Sequence, residues 1–138
     1  MKKKIIVTGS SKGIGFAIAK KLLGEGHQVI ITSRKKYDFS KLKKIFHKNV
    51  NFLNGDFSNP KDARKMIDKG IKILKGLDVL ICNVGESKSS APNKENFSEW
   101  KKMFNQNFFT ATNAIEASKN KIIESKGSII CISSICGN

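Results

Sequence analysis

With 138 residues, 39% of them apolar and nine of them phenylalanine, the chain carries enough material for one domain with a buried core, which excludes a disordered or fibrous protein. Its formal charge of +15 is almost all lysine, Arg34 and Arg64 being the only arginines. The lysines are scattered and no helix-turn-helix, zinc-finger or RNP-like pattern accompanies them, so they predict a solvated surface that at most binds phosphate weakly at low salt, not a reader of nucleic acid.

Strand and helix patterns alternate from the start. Lys4-Ile5-Ile6-Val7 reads as a buried strand and leads through "TGSSKGIG" into a helix with Ile14, Ile18 and Leu22 on one face. The start is basic, yet its apolar run is cut at Gly9 and is too short for the core of a signal peptide. Gly24 and Gly26 end the helix, and residues 29–32 make a second strand. Leu42, Ile45 and Phe46 share a helical face, and residues 50–53 form a third strand running into "GDFSNP". There Ser58 or Asn59 caps a helix with Pro60 in its first turn and Met66, Ile67, Ile71 and Leu74 as its apolar stripe.

A fourth strand, 77–81, enters "CNVG". After the polar loop "ESKSSAPNKEN", Ser98 is expected to cap a long helix carrying Trp100, Met103, Phe104, Phe108, Ala111 and Ile115. The fifth strand, 129–132, opens into two serines. Apolar strands without alternation are covered on both faces, which implies a parallel sheet with helices on each side, a doubly wound α/β fold in one domain. No segment is long or apolar enough to cross a membrane. Cys82, Cys131 and Cys136 make no C-x-x-C pair and no metal-ligand cluster, a usage that suits a reducing cytoplasm.

The loop after the first strand has the spacing Gly9-x-x-x-Gly13-x-Gly15. A glycine at position 9 permits a turn that a Cβ would obstruct, one at position 13 lets backbone approach a pyrophosphate, and one at position 15 lets the helix lie close on the strand. The helix N-terminus, worth roughly half a positive charge, then faces the phosphates.

With this loop, four further features in order resemble the short-chain dehydrogenase/reductase family along the whole chain. "TGSSKGIG" resembles the family's T-G-x-x-x-G-x-G cofactor loop, and "CNVG" resembles N-N-A-G after the fourth strand. Asp56 falls where the family places an aspartate near the adenine ring, Asn107 matches the helix asparagine that supports a proton relay, and Ser134 matches the catalytic serine after the fifth strand. The resemblance implies a Rossmann-like sheet of order 3-2-1-4-5 in an NAD(P)-binding domain over residues 1–138. It implies cofactor binding by Thr8, Gly9, Ser11, Lys12, Gly13, Ile14 and Gly15 in the loop, Ser33 and Arg34 after the second strand, Asp56 and Phe57 after the third, and Asn83, Val84 and Gly85 after the fourth. Asn107 and Ser134 are the implied catalytic residues, and no metal is implied. Two positions depart from the pattern: Cys82 replaces the first asparagine and Val84 the alanine of N-N-A-G, and Val84 is expected to crowd the cofactor.

The second strand ends "ITSRKK". An NAD site wants a carboxylate here for the ribose hydroxyls, whereas Ser33, Arg34 and Lys35 can receive a 2′-phosphate, with Lys12 resembling the basic residue relatives place against it. Near a surface each such charge contact is worth on the order of one to a few kcal/mol, so two or three would favour NADP over NAD by an order of magnitude or more. The expected cofactor is NADP(H).

The family's chemistry also uses a tyrosine and a lysine in a Y-x-x-x-K pair, the tyrosine exchanging the substrate proton and the lysine lowering its pKa. The only tyrosine here is Tyr37, after the second strand on the adenosine side. The chain is therefore expected to be the N-terminal part of an oxidoreductase that moves hydride between nicotinamide and a small carbonyl or alcohol, and to be inactive alone. Two alternatives stand beside it: a non-catalytic NADP(H)-binding protein acting as a sensor or completed by a partner chain, and a basic nucleic-acid binder. Ending after the fifth strand is expected to leave an apolar edge, with Phe104, Phe108 or Phe109 showing on the long helix, and hence self-association.

Overall fold

The structure, a computed structural model, describes residues 1–86, 91 and 93–134. Five short strands, β1 (Lys4–Val7), β2 (Gln28–Ser33), β3 (Val50–Asn54), β4 (Val79–Cys82) and β5 (Ser128–Cys131), pair in parallel in the order β3-β2-β1-β4-β5. At the centre Ile6 stands level with Ile30 of β2 and Leu80 of β4. The expected strand order is thus the observed one.

Each central strand sends alternate residues to opposite layers, and both layers are apolar. Ile5, Val7, Val29 and Ile31 meet α1 (Gly13–Gly24) and α2 (Ser40–Phe46) through Ala19, Leu23 and Leu42. Ile6, Ile30, Leu53, Leu80 and Cys82 meet α3 (Pro60–Leu74) and α5 (Thr110–Glu124) through Ala63, Met66, Ile67, Leu74, Ala114 and Ile122. This explains why the strands read as unbroken apolar runs: neither face of the sheet's centre is wet.

Helix starts follow local chemistry. Asn59 caps α3, its Oδ1 accepting from the backbone N–H of Lys61 and Asp62 at 2.9 and 3.2 Å, with Pro60 as first helical residue. Three helix expectations need correction. In α1 the fully buried residues are Gly15, Ala19 and Leu23, and Ile18 and Leu22 of the expected face pack beside them against the sheet, whereas Ile14 is 66% exposed. In α2, only seven residues long, Leu42 is buried and Ile45 lies in solvent.

The third concerns the long helix. It begins as α4 (Phe97–Phe104), capped by Asn96, whose Oδ1 accepts from Glu99 N–H at 3.2 Å; Ser98 lies inside the first turn. Between α4 and α5 the chain makes a π-type turn at Asn105–Phe109. One added residue rotates the following face by about 100°. The stripe read from the sequence is therefore split: Ala111 and Ile115 pack on the core, while Trp100, Phe104, Phe108 and Phe109 face solvent.

Candidate functional site

The carboxyl ends of β1, β2 and β4 open on one cleft of about 750 Å³. Ligands of doubly wound sheets bind at such a place, where the strand order reverses. Its walls come from the loop after β1, the exit of β2, the segment after β3, the exit of β4 and the π turn.

The loop between β1 and α1 is held from behind by hydroxyls. Ser10 Oγ donates to Val7 O at 2.6 Å and accepts from Thr32 N–H at 3.0 Å. Thr32 Oγ1 accepts from Gly9 N–H at 3.1 Å. Thr8, 2% exposed, accepts at Oγ1 from the N–H of Asn83 at 2.9 Å and of Val84 at 3.3 Å, which ties the end of β1 to the end of β4. Asn83 returns the link, its Nδ2 donating to Gly9 O at 3.0 Å and Thr8 O at 3.2 Å.

The three loop glycines differ in what they face. Gly9 has φ +60°, and a Cβ there would press on Val84 Cγ2 at 3.0 Å. A Cβ on Gly15 would run into the Asn83 side chain and the Gly9 carbonyl. Gly13, at φ +59°, has nothing within 4 Å of where its Cβ would stand, so open space lies over it. No side chain caps the N-terminus of α1, unlike those of α3 and α4. Exposed backbone beside an uncapped helix N-terminus suits an anionic oxygen.

Gly9, Ser11, Lys12, Gly13 and Ile14 line the cleft on one side; Ser33 and Arg34 continue it; Asp56, Phe57, Asn83, Val84 and Gly85 complete it. Thr8 and Gly15 stand behind that lining and position it. Phe57 is 3% exposed with its ring in the core, so it bounds the cleft from within rather than offering a free face. Asp56 Oδ1 accepts from Ser58 N–H at 2.8 Å, which turns the chain toward α3. Lys12, Arg34, Lys35 and Lys36 outnumber the cleft's two carboxylates, Asp56 and Glu86.

The two residues given catalytic roles stand apart from the lining. Asn107 sits in the π turn and clamps one residue: Oδ1 accepts from Glu86 N–H at 2.7 Å and Nδ2 donates to Glu86 O at 3.0 Å. Gly85 fits beneath it, its Cβ position 3.1 Å from Asn107 Oδ1. Ser134 lies on exposed backbone beyond β5 and is not among the lining residues. Residues 135–138, which include Cys136, lie outside the described residues.

Sequence reading missed Ser10, Thr32 and Gln106. The hydroxyls are visible only as a small polar pair at a strand end and a loop start. Gln106 lines the cleft, and its Oε1 is buried with no hydrogen-bond partner among the described residues. A buried acceptor lacking a donor is costly unless a ligand supplies one. Its signal was adjacency to Asn107.

Comparison with known proteins matches this arrangement. A family model described as short chain dehydrogenase covers residues 3–138. Glucose 1-dehydrogenase of Gluconobacter oxydans is 39% identical over 87 residues, 60% of this chain and 33% of its own. The dehydrogenase/reductase SDR family protein 7-like of Dictyostelium discoideum is 30% identical over 98% of this chain and 46% of its own. Among solved structures, ElxO with NADP bound superposes with a TM-score of 0.86 at 31% identity, over 99% of this chain and 57% of that one. The chain thus spans between a third and about three fifths of these relatives. A glycine loop locked to β4 by Thr8 and Asn83, under a family model that matches almost every residue, places this chain in the short chain dehydrogenase family.

Proposed function

We propose that this chain binds NADP(H) in the cleft and supplies the cofactor-binding part of a short-chain oxidoreductase. The observation that carries the reading is the open cradle at Gly13 beside the uncapped α1, in a cleft whose lining also includes Lys12 and Arg34. Gly13, Ser11 and Ile14 would receive the pyrophosphate; Ser33, Arg34 and Lys12 the 2′-phosphate. Asp56 and Gln106 would meet the adenine, the Gln106 Oε1 gaining a donor. Asn83 holds the loop, and Val84 and Gly85 border the path toward the nicotinamide. Support also comes from ElxO, a relative solved with NADP bound.

The bound nicotinamide would supply or accept the hydride for a carbonyl or alcohol substrate. Asn107 would keep the backbone at Glu86 in place, and Ser134 would orient the substrate oxygen. A cytoplasmic setting fits its free thiols, and the apolar residues exposed on β5 and α4 favour self-association.

Fluorescence titration with NADPH and NADH tests the reading. NADPH is expected to bind at least tenfold more tightly; equal or tighter NADH binding overturns the 2′-phosphate assignment, and no binding of either overturns the whole.

A further inference from the structure

The thiols of Cys82 and Cys131 face each other across two strands. Cys82 ends β4, Cys131 ends β5, and the two are direct partners in the parallel register. Partners in parallel strands point to the same face of the sheet. That face is the α3/α5 layer, for Cys82 is part of its core and Ile129, two residues before Cys131, packs against it. Ile132 N–H donates to Cys82 O at 2.9 Å, which pins the strands together at this level. Adjacent strands run about 4.8 Å apart, inside the Cα separation of about 4.4–6.8 Å that a disulfide spans. Both thiols are free; Cys82 is buried and Cys131 exposed.

We propose that Cys82 and Cys131 are a redox pair that peroxide closes into a disulfide joining β4 to β5. Cys131 is the entry point because the oxidant can reach it. Its sulfur attacks hydrogen peroxide: an S–O bond forms, the O–O bond breaks, and the departing hydroxide takes the thiol proton and leaves as water. The Cys82 sulfur then attacks Cys131 Sγ; the S–S bond forms, the S–O bond breaks, and hydroxide leaves as a second water with the Cys82 proton. Two thiols and one peroxide give one disulfide and two waters. Burial and the neighbouring Cys131 push the Cys82 thiol up to about 12, which keeps it protonated near neutral pH. The bond would tie the segment carrying Asn83 to the segment that leads to Ser134.

The experiment uses the full chain with Cys136→Ser, which removes the third thiol. After treatment with hydrogen peroxide and alkylation in denaturant, the monomer is expected to have lost two hydrogens in mass and both reactive thiols. A cross-linked peptide holding Cys82 and Cys131 should appear, and dithiothreitol should restore both thiols. In the additional Cys131→Ser variant, Cys82 is expected to stay reduced at the same dose. The proposal is overturned if Cys131 goes on to sulfinic acid, or joins a second molecule, while Cys82 remains alkylatable.

Discussion

Two strands of one sheet, β1 and β5, have nearly the same kind of sequence and opposite surroundings. Ile5, Ile6 and Val7 of β1 are 2% exposed or less, held between β2 and β4 and between two helical layers. In β5, Ile130 is 46% exposed, and Ile132 just beyond is 41% exposed. Among the described residues β5 pairs with β4 alone. An apolar run thus states that a strand can be buried, and its neighbours decide whether it is. The same contrast holds among helices: α3 puts its stripe into the core, while α4 presents Trp100 and Phe104 to solvent.

The sharpest test of that contrast is paired truncation of two isoleucines. Ile30→Ala, at a fully buried site, is expected to cost about 2–5 kcal/mol in a urea midpoint series. Ile130→Ala, on the exposed edge, is expected to cost no more than about 0.5–1 kcal/mol. Equal losses would mean that β5 is covered in solution, and a concentration dependence of the Ile130→Ala loss would identify the cover as another copy.

A smaller effect separates two of the loop glycines, Gly15 and Gly13. Gly15→Ala presses a methyl on Asn83 and Gly9 O, so it is expected to cost about 1–3 kcal/mol of stability and to weaken NADPH binding with it. Gly13→Ala meets no atom and carries only the strain of φ +59°, about 1–2 kcal/mol. Its methyl fills the cradle, so its NADPH affinity should fall further than its stability. If Gly13→Ala binds NADPH like the parent, the cradle is not the phosphate site.

Removing charge should touch affinity alone. Lys12→Ala combined with Arg34→Ala, both exposed, is expected to lower NADPH affinity by about tenfold or more, leave NADH unchanged and move stability by less than about 0.5 kcal/mol. A parallel loss for both cofactors would place these residues away from the 2′-phosphate.

A separate effect is alkaline. Burial and the adjacent Cys131 raise the Cys82 thiol from its ordinary 9.0 to about 12. The folded state then holds its proton where the unfolded state has lost it. Stability from this source is full below the unfolded value and is lost as pH rises from about 9 toward about 12. Urea midpoints measured between about pH 8 and pH 11 should fall less steeply for Cys82→Ala than for the parent. Identical slopes would show that Cys82 is not held apart from solvent.

Much of the site was legible because it rests on backbone needs that few residue types meet. Gly9 and Gly13 adopt positive φ, Asn59 and Pro60 start α3, and the apolar runs lie in the sheet in the expected order. Those are local constraints, written one residue at a time. The exposure of Ile14 in α1, the hydroxyl lock of Ser10 and Thr32, the orphaned Gln106 Oε1 and the Cys82–Cys131 pairing were not legible. Each depends on what a distant segment brings alongside, and one π turn was enough to divide a single apparent stripe into a core face and a solvent face. By itself the sequence determined the alternation of elements, the sheet they build and the glycine turn after β1, since periodicity and glycine act locally. The tertiary structure alone decided which apolar residues are covered and which polar atoms meet, since burial and hydrogen bonding belong to pairs of segments far apart in the chain.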